Sequence, residues 1–299
     1  MIRYKNKIDK IFRIKKFNKL KYTIDEINNK KLIAYFFKKN KIFFVLKISF
    51  NQFTSNQFNN EKNAYKILKK RKHPFYLTKY RNIYNHKYTS ISKIKYIDGK
   101  KGSFFDLDKF FKIKNLKIQT IKFEKYTQIM KENFRKIHSF NFIIDKDFEN
   151  IQSIFKNEKI DISLSHGDFT HWNSIKSKNN YFIYDLEYFS KKRVFLYDIL
   201  HWLIAPITNK FKLFKFKINY NYLLILFIRF YLNKLNHKLS KREIIKYLLL
   251  YFIEQKYIAL LADKINKKYK IISHENLKNS KLLSKFYSNQ IKIFIKYLN

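Results

Sequence analysis

LSHGDFTHWNSI (Leu164–Ile175), then YFIYDLEYF (Tyr181–Phe189), then LYDILHWL (Leu196–Leu203): the order of these three runs decides how the rest of the chain is read. An apolar residue leads into a tight His166-Gly167-Asp168 turn, and Asn173 follows Asp168 by five residues. Tyr181–Tyr184 has the aromatic and branched composition of a short strand and delivers a second carboxylate, Asp185. Strand, polar loop, strand and carboxylate bring a base and two metal ligands to one point. Asp168 would stand beside a substrate hydroxyl. The amide oxygen of Asn173 and the carboxylate of Asp185 are hard oxygen ligands of the kind Mg²⁺ takes.

These residues resemble the catalytic core of the aminoglycoside phosphotransferase and choline kinase family, which has the protein-kinase-like fold. The HGDxxxxN loop of that family matches His166, Gly167, Asp168 and Asn173, and its metal-binding aspartate matches Asp185. The DLEY form, Asp185–Tyr188, is nearer the choline-kinase style, and His171 stands where many relatives carry proline. The resemblance implies an α+β, two-lobe fold. A small N-terminal lobe, residues 1–97, would hold an antiparallel sheet with one helix and bind the nucleotide. A larger, mainly helical lobe, residues 98–299, would carry catalysis and the acceptor. It implies ATP and Mg²⁺ as cofactors and transfer of the γ-phosphate to a hydroxyl of a small molecule. An amino alcohol such as choline or ethanolamine, a sugar and an aminoglycoside are all open as acceptor. Asp168 would act as base, Asn173 and Asp185 would hold the metal, and His166 and Gly167 would shape the turn. Asp198, thirteen residues past Asp185 in a helical apolar pattern, would hold the catalytic loop through its backbone.

Toward the N-terminus, LIAYFF (Leu32–Phe37) and IFFVLKISF (Ile42–Phe50) flank a short polar link and predict a β-hairpin. Lys47 interrupts the second run where an apolar residue is expected, and a half-buried lysine needs an anionic partner. NNEKNAYKILKK (Asn59–Lys70) predicts a helix with Glu61 in its first turn. In kinase-like folds a strand lysine pairs with a glutamate of the next helix and meets the nucleotide phosphates, so the resemblance assigns those roles to Lys47 and Glu61. It places the adenine-facing hinge at Lys95, Tyr96 and Ile97, through backbone groups alone. No glycine precedes Gly99, so Asn28-Asn29 stands as the substitute for a glycine-rich phosphate loop.

Toward the C-terminus, Gln119–Phe140 has helical periodicity, and His138 within it reads as a packed histidine. Ser240-Lys-Arg-Glu243 is a capping box that opens a helix to about Lys268, with further helices over Tyr222–Leu235 and Leu282–Leu298. The three glycines, Gly99, Gly102 and Gly167, all fall where the resemblance wants a turn or a close backbone approach.

The chain of 299 residues carries a formal charge of +43. Lys, Asn, Ile, Phe and Tyr are over-used and Gly and Pro scarce, which follows A/T-rich codons. The lysines are spread over the whole length, so no dedicated nucleic-acid partner is expected. Two other readings remain: a catalytically inactive kinase-like or basic nucleic-acid-binding protein, and a metallohydrolase using His166, Asp168, His171 and Asp185. The absence of cysteine excludes disulfides, thiolate zinc sites and a cysteine nucleophile. The uncharged run Ile218–Ile228 is too short to span a bilayer, and the N-terminus lacks a signal-like apolar core, so a cytoplasmic protein is expected.

Overall fold

In LIAYFF, Leu32, Ala34 and Phe36 are buried while Ile33, Tyr35 and Phe37 are half-buried, the period of two that a strand with one covered face requires. The computed structural model describes residues 20–25, 31–38, 41–49, 51–69, 80–86, 89–111, 116–138, 140–178, 180–210, 221–269 and 274–298. Asn28-Asn29 lies outside them. Strands β1 (Leu20–Asp25), β2 (Lys31–Lys38), β3 (Lys41–Ser49), β4 (Tyr80–His86) and β5 (Thr89–Lys95) form one antiparallel sheet in the order β1-β2-β3-β5-β4. Phe36 and Phe44 face each other across the expected β2–β3 hairpin and stack at 4.4 Å.

Helix α1 covers Gln52–Leu68 and starts seven residues earlier than the sequence suggests. Asn51 is its N-cap: with an extended backbone, its side chain accepts a hydrogen bond from Thr54 N at 2.9 Å. Glu61 is therefore in the middle of the helix, on the face that buries Phe53, Phe58, Ala64, Tyr65 and Leu68. Part of that face, Ala64, Tyr65 and Leu68, packs on Leu186 and Phe189 of the DLEYF run, joining the first sheet's helix to the segment that follows Tyr184.

After β5 the chain makes a two-residue strand β6 (Lys100–Lys101) that belongs to a different sheet. The segment expected to be one long helix from Gln119 divides. Gln119–Lys122 is strand β7, and helix α2 runs from Phe123 to Asn133 before a π-helical turn over Phe134–His138. Pairing decides this: Thr120 and Ile121 lie opposite Asp161 and Ile160 of strand β8 (Lys159–Ser165), and Thr120 Oγ1 donates to Asp161 at 2.6 Å. Helix α3 (Lys146–Phe155) leads into β8. The hairpin of β9 (Ser174–Ser177) and β10 (Asn180–Ile183) then follows, and β11 (Ser190–Val194) returns to β8. The two small sheets have the orders β10-β9-β6 and β11-β8-β7.

Four helices complete the second lobe: α4 (Tyr197–Lys210), α5 (Asn221–Lys234), α6 (Lys241–Tyr269) and α7 (His274–Lys296). The capping box at the start of α6 is formed, with Glu243 N donating to Ser240 Oγ at 3.2 Å and Ser240 N to the Glu243 carboxylate at 2.7 Å. Helix α7 begins eight residues before Leu282. From Ile244 to Tyr257 helix α6 is buried almost all round, as the central helix of a bundle must be. Its three consecutive buried polar residues each reach a different neighbour. Glu254 pairs with Arg193 at 2.7 Å, Gln255 donates to Tyr197 Oη at 2.6 Å, and Lys256 meets Asp145 and Asp147 at 2.5 Å. Among the described residues no helix is long and apolar enough to cross a membrane.

Candidate active site

Strand β8 ends at Ser165 and the chain reverses over His166-Gly167-Asp168. Gly167 has φ +86°, and a Cβ there would stand 2.1 Å from Tyr188 O and 2.5 Å from Arg193 Nη1, so only glycine fits. Asp198, in the first turn of α4, holds the reversal. Its Oδ1 accepts from Ser165 Oγ at 2.8 Å and Gly167 N at 3.1 Å, and its Oδ2 accepts from His166 N at 2.8 Å. His166 is fully buried. Its Nδ1 accepts from Asp168 N at 3.2 Å, and Nε2–H donates to Tyr184 O at 2.9 Å, which defines the neutral tautomer. Burial lowers its pKa in the same direction, against the pull of Asp198 and Asp168. With both ring nitrogens turned to the protein, His166 has no lone pair for a metal. The metallohydrolase reading thereby loses its first ligand, and among the described residues no cluster of three or more His, Asp or Glu side chains is set to hold an ion.

Asp168 Oδ2 accepts from Asn173 Nδ2 at 2.8 Å, and the same nitrogen donates to Asp168 O at 2.9 Å. The Asn173 amide thus spends its NH₂ on the turn and keeps its oxygen for another partner. Backbone pairing between Tyr184 N and Asn173 O at 3.1 Å sets the loop beside the end of β10, where Asp185 follows. Asp185 takes the left-handed conformation (φ 68°, ψ 58°), which Asp tolerates better than most residues.

Asp185 Oδ1 accepts from Lys47 Nζ at 2.8 Å, across the gap between the lobes. Lys47 also meets both carboxylate oxygens of Glu61, at 3.1 and 3.3 Å, and Glu187 at 3.4 Å. Lys31, at the start of β2, pairs with Glu187 as well. Burial alone would lower the pKa of Lys47, but Asp185, Glu61 and Glu187 together hold it well above the usual lysine value. Burial would raise Asp185, yet Lys47 and Lys31 keep it well below the carboxylate range. Burial pushes Glu61 up to about 7 despite Lys47, and burial with Asp185 also raises Glu187. The result is a fixed cation paired with one strongly ionised carboxylate just after β10.

No protein-family model matches this sequence, and no curated protein does. Solved structures do. The GDP complex of wild-type aminoglycoside 2′-phosphotransferase-IIIa superposes with a TM-score of 0.59 at 12% identity, over 96% of this chain and 98% of that one. A mutant of the same enzyme bound to GDP gives 0.61 at 12%, over 98% and 99%. A thermostable mutant of the aminoglycoside phosphotransferase APH(4)-Ia gives 0.55 at 9%, over 96% and 98%. This chain has the aminoglycoside phosphotransferase fold.

Within the aminoglycoside phosphotransferase fold, His166, Gly167, Asp168, Asn173, Asp185, Asp198, Lys47 and Glu61 form one connected cluster at the junction of sheet and helices. Lys95, Tyr96 and Ile97 lie apart from it. Lys47 is paired with Ser92 and Phe44 with Lys95, so the β5 end is about 10 Å further along the ladder. Three participants carry no signal strong enough to single out in the sequence. Lys31 is one lysine among many, and Glu187 equally suits a surface role. His201, whose Nε2 lies 3.0 Å from Asp168 Oδ1, sits three residues after Asp198, and that spacing, one helical turn on one face, is the sequence's pointer to it.

Proposed function

We propose that this chain is a nucleotide- and Mg²⁺-dependent phosphotransferase. It moves the γ-phosphoryl group of ATP to a hydroxyl of a small molecule, with residues 1–97 as nucleotide lobe and 98–299 as catalytic and acceptor lobe. The observation that carries this is the pairing of two arrangements. Asp168 is held by Asn173 in the turn, and Asp185 faces Lys47 and Glu61 across the lobe junction. Phosphoryl transfer asks for positioning and charge neutralisation more than for covalent catalysis, and these are what the cluster offers. Asn173 and Asp185 would hold Mg²⁺, whose chemistry is to neutralise charge on the phosphates.

Asp168 orients the acceptor hydroxyl and takes its proton as the new P–O bond forms and the bond from the γ-phosphorus to the β–γ bridging oxygen breaks. Lys47 stays protonated and balances phosphate charge, and Glu61 keeps its ammonium at the right height. Asp198 fixes the backbone that carries Asp168. The DLEY form and the shared fold leave amino alcohols, sugars and aminoglycosides as acceptor classes, which a screen of hydroxyl compounds for Mg²⁺-dependent ADP release will separate. With the acceptor so found, Asp168→Asn is expected to lower turnover by ~10²- to 10⁴-fold with nucleotide affinity retained. Undiminished turnover in that variant would overturn the assignment.

A further inference from the structure

Asp168 has a second partner that the proposed roles do not use. His201 Nε2 lies 3.0 Å from Asp168 Oδ1, on the side of the carboxylate opposite the Asn173 contact to Oδ2. His201 comes from the same helix face as Asp198, one turn later. One residue holds the backbone of the catalytic turn and the other holds its side chain.

The contacts on the far side of the imidazole suit one tautomer. Nδ1 faces Tyr251 Oη at 3.1 Å and Gln255 Nε2 at 3.5 Å. The amide NH₂ only donates and the Asp168 carboxylate only accepts, so an Nδ1 acceptor with the hydrogen on Nε2 satisfies all three contacts. The ring is clamped as well. Tyr197 lies parallel to it at 5.8 Å and 7°, the Tyr197 hydroxyl is tied to Gln255, and His201 is 9% exposed. Arg193 covers the Tyr197 ring at 4.1 Å and pairs with Glu254, so the stack rests on buried helix α6.

We propose that His201 is a positioning residue for Asp168, an inference that rests on the phosphotransferase reading. Its Nε2–H fixes the plane of the carboxylate. The terminal torsion of an aspartate is otherwise broad and roughly two-fold, so an unheld Asp168 would spend much of its time turned away from the acceptor hydroxyl. With Oδ1 tied to His201 and Oδ2 to Asn173, the carboxylate plane is set from both ends, and each oxygen keeps a lone pair for the acceptor hydroxyl. Misplacement of a reacting group by about 1 Å is enough to lose ~10²-fold in rate. Loss of this hold therefore acts on kcat and leaves nucleotide binding at the Lys47–Asp185 end untouched.

The test has a kinetic and a spectroscopic arm. His201→Leu, which keeps the packing and removes the donor, is expected to lower kcat by ~10- to 10²-fold with the nucleotide KM within about two-fold of wild type. His201→Gln, whose amide NH₂ can still donate to Oδ1, is expected to recover most of the loss, and thermal unfolding of both variants checks that they are folded. In the full-length protein, ¹⁵N–¹H NMR of the imidazoles, assigned by the signal missing from His201→Gln, is expected to show the Nε2–H tautomer and a shift of that signal in Asp168→Asn. Wild-type kcat in a folded His201→Leu, or an Nδ1–H tautomer, would overturn the proposal. A fall in kcat that His201→Gln does not recover would mean a packing role and overturn it too. If wild-type protein transfers no phosphate to any acceptor while NMR shows the Asp168-linked tautomer, the phosphotransferase reading fails. The positioning role fails with it, and the pair is then only structural.

Discussion

At Gly167 one missing methyl group decides whether the His166–Asp168 turn can form. The nearest atom to a Cβ there is a backbone carbonyl, Tyr188 O at 2.1 Å, which cannot swing aside as a side chain would. Gly167→Ala is therefore expected to destabilise the protein by about 1–3 kcal/mol and to abolish turnover, read by denaturant unfolding and ADP release. His138 offers a test of another kind. Burial, with Arg193 adding to it, pushes its pKa down from 6.5 to about 3. It lies between Phe134 and Tyr188, with ring centroids at 5.1 and 5.6 Å. Because the folded value is the lower one, its contribution is full above about pH 6.5 and is lost as pH falls toward 3. Below pH 6.5 the unfolded chain binds a proton that the folded chain refuses, which costs about 1.4 kcal/mol per pH unit. His138→Phe is expected to remove that one-proton slope from stability measured between pH 6 and about pH 4. Residue by residue, the sequence reveals those side chains whose chemistry contradicts their surroundings. Lys47 shows itself as a charge inside an apolar strand, and Asp168, Asn173 and Asp185 by spacing. His201 is hidden because a lone histidine on an apolar helix fits a packing role equally well, and only the fold brings Asp168 to it.

Elements are legible where their ends are marked locally. The Ser240–Glu243 box is such a mark, and both of its hydrogen bonds form. Ser240→Ala is expected to cost about 1 kcal/mol, measurable as a lower midpoint of urea unfolding with an unchanged slope. The start of α1 is not legible for the opposite reason. Asn51, Asn56, Asn59 and Asn60 are all competent caps, and the choice falls to Asn51 because the helix then buries Phe53 and Phe58. Strand β7 fails differently. Four residues have no period of their own when a helix of matching pattern follows, so the ladder to β8, formed with residues some forty positions away, settles their conformation.

The molecule as a whole is strongly self-repelling. Its formal charge of +43 comes from 65 basic and 22 acidic residues. Among the described residues, buried and half-buried ion pairs engage Glu61, Asp185, Glu187, Glu254 and Asp147, so fewer of the 22 acidic residues are left to face the 65 basic ones. Raising NaCl from about 10 mM to about 0.15 M shortens the Debye length from about 30 Å to about 8 Å. The thermal midpoint is therefore expected to rise over that range, and a midpoint that falls would show that attractive pairs dominate the surface. The two-lobe architecture is legible in the chain because its motifs occur in a fixed order. The contacts that join the lobes are not, since Lys31, Asn60 and Glu187 are unremarkable letters until the fold sets them together. Asn60 Nδ2, for example, donates to the carbonyls of both Glu187 and Phe189 at 2.9 Å.

Strand β6, only two residues long, follows the end of the first sheet after four residues and pairs with β9, and Gly102 N donates to Ser174 O at 3.1 Å. The cord between the lobes is therefore sewn to the residue next to Asn173, with no slack thread between them. A tilt of one lobe on the other tugs first at the loop that would carry the ion. On the proposed phosphotransferase reading, damage to this seam would be felt as an altered appetite for magnesium before any loosening of the grip on the base.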